Sequence, residues 1–505
     1  MLRTGLEHQR RIPLYEEVAS RITFLVERGT LRPGDRVPSI RKLSKQMRVS
    51  INTVKEAYSQ LEDRCLIEAR PQSGYYVRAR LPEVPAEPQV DQPALRPTEV
   101  SLGKVYQMVM QDQRNPDLHQ LGIAFPNPDL LPIDKLSRML SSESRRFRTQ
   151  SVSYELPPGC QRLRKQIAQR TLLSGCTLSP EQIVITSGCV EAVVLSLRAL
   201  CKAGDTILIE TPIYFNFLQQ IEDLGLKTLE IPSSPRDGIS LEALAYALEH
   251  NREQISACLV ITNINNPLGG QMPDENKRKL VDLLDRYDIP LIEDDIYGDL
   301  SFSDKRPTVA KAYDKKGNVL LCSSFSKTLA PGYRVGWIAA GRFQEQIERG
   351  KMLANVATAT PPQLAIAEFL ATGGYDHHLR SIRRVYASKV AQMADAVGRY
   401  FPAGTRASRP LGGFVLWLEM PESISAIRLY ERAREAGITF APGPLFSANG
   451  KYQNCIRLNA AFWCDEVERA VATLGALAHE LMTGALELAS TTSVDSPLKL
   501  HNTLF

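Results

Sequence analysis

Between residues 13 and 68 the apolar positions recur at helical spacing. Leu14, Val18, Ile22 and Leu25 fall on one face of a first helix. Arg32-Pro33-Gly34-Asp35 reads as a turn. Ser39, directly after Pro38, is placed to cap a short second helix ending at Met47. Ser50 caps a third, with Val54, Tyr58 and Leu61 along one side. Leu66 to Ala69 and Tyr75 to Val77 then predict two short strands around Gln72-Ser73-Gly74.

The pattern breaks over residues 79–98, where Pro82, Pro85, Pro88, Pro93 and Pro97 recur among small and acidic residues. Such a stretch predicts a semi-rigid spacer, reaching roughly 60 Å if about 20 residues extend as polyproline II. From about residue 100, short apolar runs alternate with amphipathic helical stretches. The runs are Gln182–Ile185, Thr206–Ile209, Ala257–Ile261, Pro290–Ile292 and Val319–Leu321. Continuous apolar strands separated by helices predict a doubly wound α/β sheet. After about residue 487 the chain turns polar, and no internal repeat is present. The expected organisation is a small domain over 11–79, a linker over 80–100, a large domain over 101–485 and a loose tail over 486–505.

With 505 residues the chain exceeds one ordinary domain, and 43% hydrophobic residues supply a large core. The net charge of +5 is unevenly spread. Residues 1–80 hold 16 Lys and Arg against 9 Asp and Glu, so the whole positive excess lies in the small domain and the remainder is slightly acidic. That asymmetry predicts a polyanion partner for the small domain. Nine cysteines with no CxxC pair point away from a zinc ribbon or disulfide framework, leaving no metal expected and a reducing cytoplasm as the fitting compartment. No apolar stretch has the length of a signal core or a membrane span.

The first candidate chemistry is DNA reading. A short helix, a tight turn and a second helix let the latter enter a major groove. Here Ser50, Asn52 and Thr53 open the groove helix, while Arg41, Arg48 and Lys55 are placed to neutralise phosphates. The second is pyridoxal phosphate chemistry, which needs a lysine amine, a carboxylate for the ring nitrogen, a phosphate cradle and an aromatic face. Ser187-Gly188-Cys189 opens a helix after a strand, where backbone N–H groups bind phosphate. Tyr214 follows the next strand, and Asn263 to Gly269 ends another. Glu293-Asp294-Asp295-Ile296-Tyr297 brings carboxylates to a strand end. Finally Ser324, Ser326 and Arg334 surround Lys327, a lysine among hydroxyls suited to a phosphate beside an imine. Each motif alone is weak; five in this order, each after an expected strand, are specific.

The stretch from Pro13 to Val77 resembles the winged helix-turn-helix of GntR-type bacterial regulators. Ile51 stands where many relatives carry arginine, and Gln72-Ser73-Gly74-Tyr75 lacks the usual wing signature Gly-x-Gly-Thr. Residues 120–470 resemble fold-type I, class I/II aminotransferases. That resemblance implies that Lys327 carries the cofactor imine, that Asp294 pairs with the ring nitrogen, and that Tyr297 and Asn266 bond the 3-oxygen. It also implies a phosphate site from Gly188, Cys189, Ser324, Ser326 and Arg334, with Ser187 beside them and Tyr214 stacked on the ring. Cys189 replaces a usual Ser, Thr or Ala, implying a backbone contact only. Arg457, in Cys455-Ile456-Arg457-Leu458-Asn459, matches the arginine that grips a substrate carboxylate. Tyr154 is similar to a tyrosine lent across a dimer interface, although Glu155-Leu156 departs from the usual Tyr-Gly-Asp-Pro. The joining of the two parts resembles the MocR subfamily. The implied protein is a homodimeric cytoplasmic regulator of double-stranded DNA that senses an amino compound, or the cofactor itself. An active aminotransferase with an appended DNA head is the alternative, because no part of the catalytic set is missing.

Overall fold

The computed structural model describes residues 13–27, 30–31, 34–63, 66–70, 73–77, 85–90, 96–100 and 103–492, without the side chains of Glu27, Asp63, Lys104 and of residues 485–492. These fall into two compact units, one of residues 13–77 (the head) together with Ala391–Arg399, the other (the body) of Pro85–Val390 and the described chain from Tyr400.

In the head, α1 (Leu14–Glu27), α2 (Ile40–Met47) and α3 (Ile51–Asp63) precede an antiparallel pair, β1 (Ile67–Arg70) and β2 (Gly74–Val77). The apolar face of α1 is rotated from the expected one. Val18, Ala19, Ile22 and Val26 are buried, whereas Leu14 is 57% exposed and Leu25 only borders the core. Ala19 and Val26 supply the remaining positions of a continuous stripe, which packs against Val54, Ala57, Tyr58 and Leu61 of α3. Ser39 caps α2 by accepting from the Lys42 N–H at 3.3 Å, and Ser50 caps α3 by accepting from Thr53 at 3.0 Å. Between them Arg48 takes the left-handed conformation with φ 57° that ends α2 and turns the chain into α3. Arg32-Pro33 and Gln72 of the expected turns lie outside the described residues.

The body is built on a nine-stranded mixed sheet. Its strands are β3 (Thr98–Glu99), β4 (Val184–Thr186), β5 (Thr206–Thr211), β6 (Lys227–Ser234), β7 (Ile255–Val260), β8 (Leu291–Asp294), β9 (Val319–Ser324) and β10 (Gly336–Ala339), with Gly238–Ile239 paired onto β6. Their order is β3-β6-β5-β7-β8-β9-β10-β4. From β6 to β9 neighbours run parallel; β10 is antiparallel to both β9 and β4, and β3 is antiparallel to β6. All five apolar runs read from the sequence are strands of this sheet, and β5, β8 and β9 are buried at every position, as helices on both faces require. A second, antiparallel sheet of Arg406–Ala407, Val415–Glu419, Cys455–Asn459 and Ala441–Pro442 follows.

The expected spacer over 80–100 is shared with the body. Ala86 accepts from the Ala407 N–H at 2.9 Å, the Gln89 N–H donates to Glu419 at 2.8 Å, and Glu87 pairs with Arg236 at 2.7 Å. Thr98–Glu99 then joins the sheet edge as β3. An extended chain leaves its backbone groups unpaired, and the body's edges take them. At the other end, the helix Asp465–Thr492 runs past residue 486 into the expected tail, whose remainder lies outside the described residues. No helix among the described residues is long and apolar enough to cross a membrane.

Candidate functional site

Parallel strands deliver their following loops to one edge of the sheet, so residues far apart in sequence meet there. Asp294 ends β8, Lys327 follows β9, Ser187-Gly188 follow β4, Tyr214 follows β5, and Asn263 to Asn266 follow β7. They surround a cavity of about 210 Å³ whose lining includes Cys189, Tyr214, Asn266, Asp294, Tyr297, Ser326, Lys327 and Arg334.

Successive strand residues point to opposite faces, and this divides the paired aspartates. Asp294 faces the cavity. Its Oδ1 accepts from the Cys189 thiol at 3.2 Å and from the Ile296 N–H at 3.0 Å. Burial pushes its carboxyl up to about 7, against the pull of those two donors. Asp295 faces away, accepting from Asn263 at 2.9 Å and pairing with the Arg306 guanidinium. The thiol of Cys189 is thus engaged by Asp294, which leaves its backbone N–H at the helix start for an anion. Burial beside Asp294 pushes that thiol well above its ordinary value, so it remains a donor.

Lys327 donates from Nζ to the Ala124 carbonyl at 2.7 Å and sits 6.0 Å from the Tyr297 ring centroid. Burial, followed by the neighbouring Arg457 cation, pulls its amine down to about 8. At one end of the cavity Gly188 precedes the helix Cys189–Leu200, whose first N–H groups lack intrahelical acceptors. A Cβ at Gly188 would lie 2.4 Å from Arg334 Nη2, so the guanidinium would have to shift, and the φ of 89° strains any other residue there. Arg334 donates to Ser326 Oγ at 3.2 Å and to the Ser187 carbonyl at 3.1 Å. Ser326 therefore lines the cavity, whereas Ser324 turns its hydroxyl toward Ser326 at 2.8 Å and the Val335 carbonyl at 3.1 Å. The geometry makes Ser324 a support for Ser326. Ser187 Oγ joins a network of Thr358, Asn355, Glu191 and Lys351 that sequence reasoning missed. Nothing local in the sequence links residues 187 and 351.

Two buried groups near the cavity are without partners among the described residues: the hydroxyl of Tyr297, which lines it, and Nε of Arg457, which bonds its lining residue Asn266 through Nη1. Burial also pushes the Tyr297 hydroxyl upward, so it stays protonated. Arg457, 1% exposed, donates to Asn266 Oδ1 at 2.8 Å and to the Gly122 carbonyl at 2.5 Å, with Phe215 and Phe446 on its faces. Unsatisfied buried polar groups cost roughly 1–3 kcal/mol each, so such a constellation signals a polar ligand. A buried carboxylate facing the cavity, an amine of lowered pKa, an orphaned phenol and an N–H cradle with an arginine fit pyridoxal phosphate. Tyr154 lies elsewhere, 79% exposed, with Val152 and Leu156 exposed beside it in the chain.

On the head, Arg41, Arg48, Ser50, Asn52 and Lys55 are all exposed. The hydroxyls of Ser50 and Thr53 bond each other at 2.8 Å while capping α3, so their first role is structural. Arg70 stacks 4.4 Å over the Tyr76 ring on the two-stranded wing.

Against known proteins, residues 140–474 match the family described as aminotransferase class I and II, and residues 14–77 match the bacterial regulatory proteins of the gntR family. Two Escherichia coli K12 proteins, the uncharacterized HTH-type transcriptional regulators YdcR and YjiR, are 39% and 37% identical. Those alignments cover 92% and 93% of this chain and 99% of each relative. Among solved structures, the multiple substrate aminotransferase of Thermococcus profundus superposes with a TM-score of 0.70 at 25% identity, covering 76% of this chain and 96% of that one.

Proposed function

Since the chain belongs to the class I and II aminotransferase family and carries a GntR-family head, the pairing of MocR-type regulators, we propose a transcriptional regulator that binds double-stranded DNA and holds pyridoxal phosphate to sense an amino compound. The observation that carries this reading is the coexistence, in one chain, of an exposed basic helix-turn-helix and a buried cofactor constellation complete in every part. A dedicated DNA head has no role in simple metabolism.

When bound, pyridoxal phosphate supplies an electron-withdrawing ring that activates an amino group. This chain's residues would hold it in defined ways. Lys327 would be its covalent anchor, with an amine already largely neutral above pH 8. Asp294 would keep a proton on the ring nitrogen, with the Cys189 thiol fixing the carboxylate's orientation. Tyr297 and Asn266 would meet the 3-oxygen. The N–H groups of Gly188 and Cys189, with Ser326 and Arg334, would hold the phosphate, and Tyr214 would cover the ring. Arg457 would take the carboxylate of the amino compound in a bidentate grip. The exposed apolar residues Val152, Tyr154 and Leu156 support a homodimer, in which a pairing surface would cover them.

The test combines two measurements on one preparation. Borohydride reduction should fix the cofactor on Lys327, and Lys327→Ala should abolish that label. Gel shift on the operator should respond to cofactor and amino compound in the wild type. Lys327→Ala should keep some DNA binding while losing the response. The completeness of the Lys327, Asp294, Tyr297 and Arg457 set also favours a second reading, a working aminotransferase. Turnover of about 1–1000 per second, with DNA binding indifferent to both ligands, would establish it instead.

A further inference from the structure

A second cavity, of about 220 Å³, opens from the first and shares Phe125, Tyr214, Asn216 and Lys327 with it. Arg457 lies at one end. Among the described residues no carboxylate pairs with this arginine. The bonds it makes go to an amide and a backbone carbonyl, and burial lowers its pKa with only two tyrosines opposing. A buried cation without an anion is costly, so the ligand must bring one carboxylate. Tyr106 and Met110 of the helix Gly103–Asp112, Gln113 just after it and Ile123 form the remaining wall, while Phe215 lies against Arg457 and Phe125 against Lys327. Tyr106 packs edge-on against Phe215 with centroids 6.2 Å apart, so the wall is largely aromatic. Among the described residues that line the cavity, Lys327 and Arg457 are the only charged ones.

Resting on the reading of this pocket as the effector site, we propose that the effector is an α-amino acid with an uncharged aromatic or long aliphatic side chain. Arg457 meets its carboxylate and Lys327 yields to its amine, so both cations are used by the common part of the molecule. A second carboxylate would meet the Tyr106–Met110 wall with no counter-charge of its own, since Arg457 is taken by the first. A second ammonium would face the same apolar wall without any acceptor stronger than the Gln113 and Asn216 amides. Rings or a branched chain instead replace water against Tyr106, Met110, Phe125 and Phe215.

The experiment is a titration of full-length, cofactor-loaded protein with phenylalanine, leucine, glutamate and lysine, read by the cofactor absorbance band and by the melting temperature. Phenylalanine or leucine should shift both at concentrations at least tenfold lower than glutamate or lysine. Met110→Arg places a cation on the apolar wall and should bring glutamate to at least tenfold tighter binding while weakening phenylalanine. If Met110→Arg fails to load cofactor, Gln113→Arg at the edge of the same wall gives the same reversal. Glutamate or lysine binding as well as phenylalanine overturns the inference and leaves the effector-site reading intact. No shift with any of the four, in protein that loads cofactor, overturns the effector-site reading and the inference with it.

Discussion

Replacing Asp294 and Asp295 singly by asparagine separates two carboxylates that are adjacent in sequence. Asp294→Asn removes the anion aimed at the ring nitrogen. Breaking a buried charge pair costs about 3–5 kcal/mol, so cofactor affinity should fall by roughly two to three and a half orders of magnitude. The same change should help the cofactor-free protein. Asp294 is held at about 7 rather than the ordinary 3.8, so ionising it in the fold costs roughly 4 kcal/mol. Because the folded pKa is the higher one, that stability is lost as pH rises from 3.8 to about 7 and stays lost above it. The cofactor-free Asp294→Asn protein should therefore melt higher than wild type at pH 8 and much like it at pH 4. Asp295→Asn breaks the ion pair with Arg306, whose side chain is 12% exposed against 1% for Asp295. That variant should melt lower and keep most of its cofactor affinity. The assays are equilibrium dialysis against pyridoxal phosphate and thermal melts at both pH values. Equal loss of cofactor affinity in the two variants, or a lower melting point for Asp294→Asn at pH 8, would refute the assignment.

Capture of pyridoxal phosphate needs the neutral amine of Lys327, which burial and Arg457 hold at about 8; stopped-flow capture rates should rise with pH and level off above that value, and Arg457→Leu should move the plateau upward. Gly188→Ala forces a Cβ against Arg334 at a φ of 89°. That strain of about 1–3 kcal/mol should weaken cofactor binding roughly 5- to 150-fold by dialysis; unchanged affinity would show that the glycine cradle is not where the phosphate sits. On the head, Arg41→Ala and Lys55→Ala should each lower the slope of log affinity against log salt by about one in full-length protein, read by fluorescence anisotropy; a salt-independent affinity would exclude phosphate contacts there.

Local physics determined much of this protein from sequence. Runs such as Thr206–Ile209 and Val319–Leu321 are too apolar and too short for anything but buried strands, and they became β5 and β9. Caps at Ser39 and Ser50 need only a hydroxyl three residues before an N–H, so both helix starts were legible. Pyridoxal chemistry restricts residue types so narrowly that Lys327 and Asp294 stood out at strand ends. Sheet alternation required that Asp294 and Asp295 part company. What they parted toward depended on Arg306 on one side and Cys189 on the other, 11 and 105 residues away. Tertiary structure alone decided that Arg457 bonds Asn266 across 191 residues, that Ser324 supports Ser326, and that Tyr106 and Met110 wall the second cavity. It also decided that residues 86–89 and 98–99 lie on the body, although their prolines read as a spacer. Periodicity records which face of an element is apolar; it carries no record of which distant edge, cation or ring meets that face. Those pairings are fixed by the order of strands in the sheet, and they are what turn a list of suitable residues into a site.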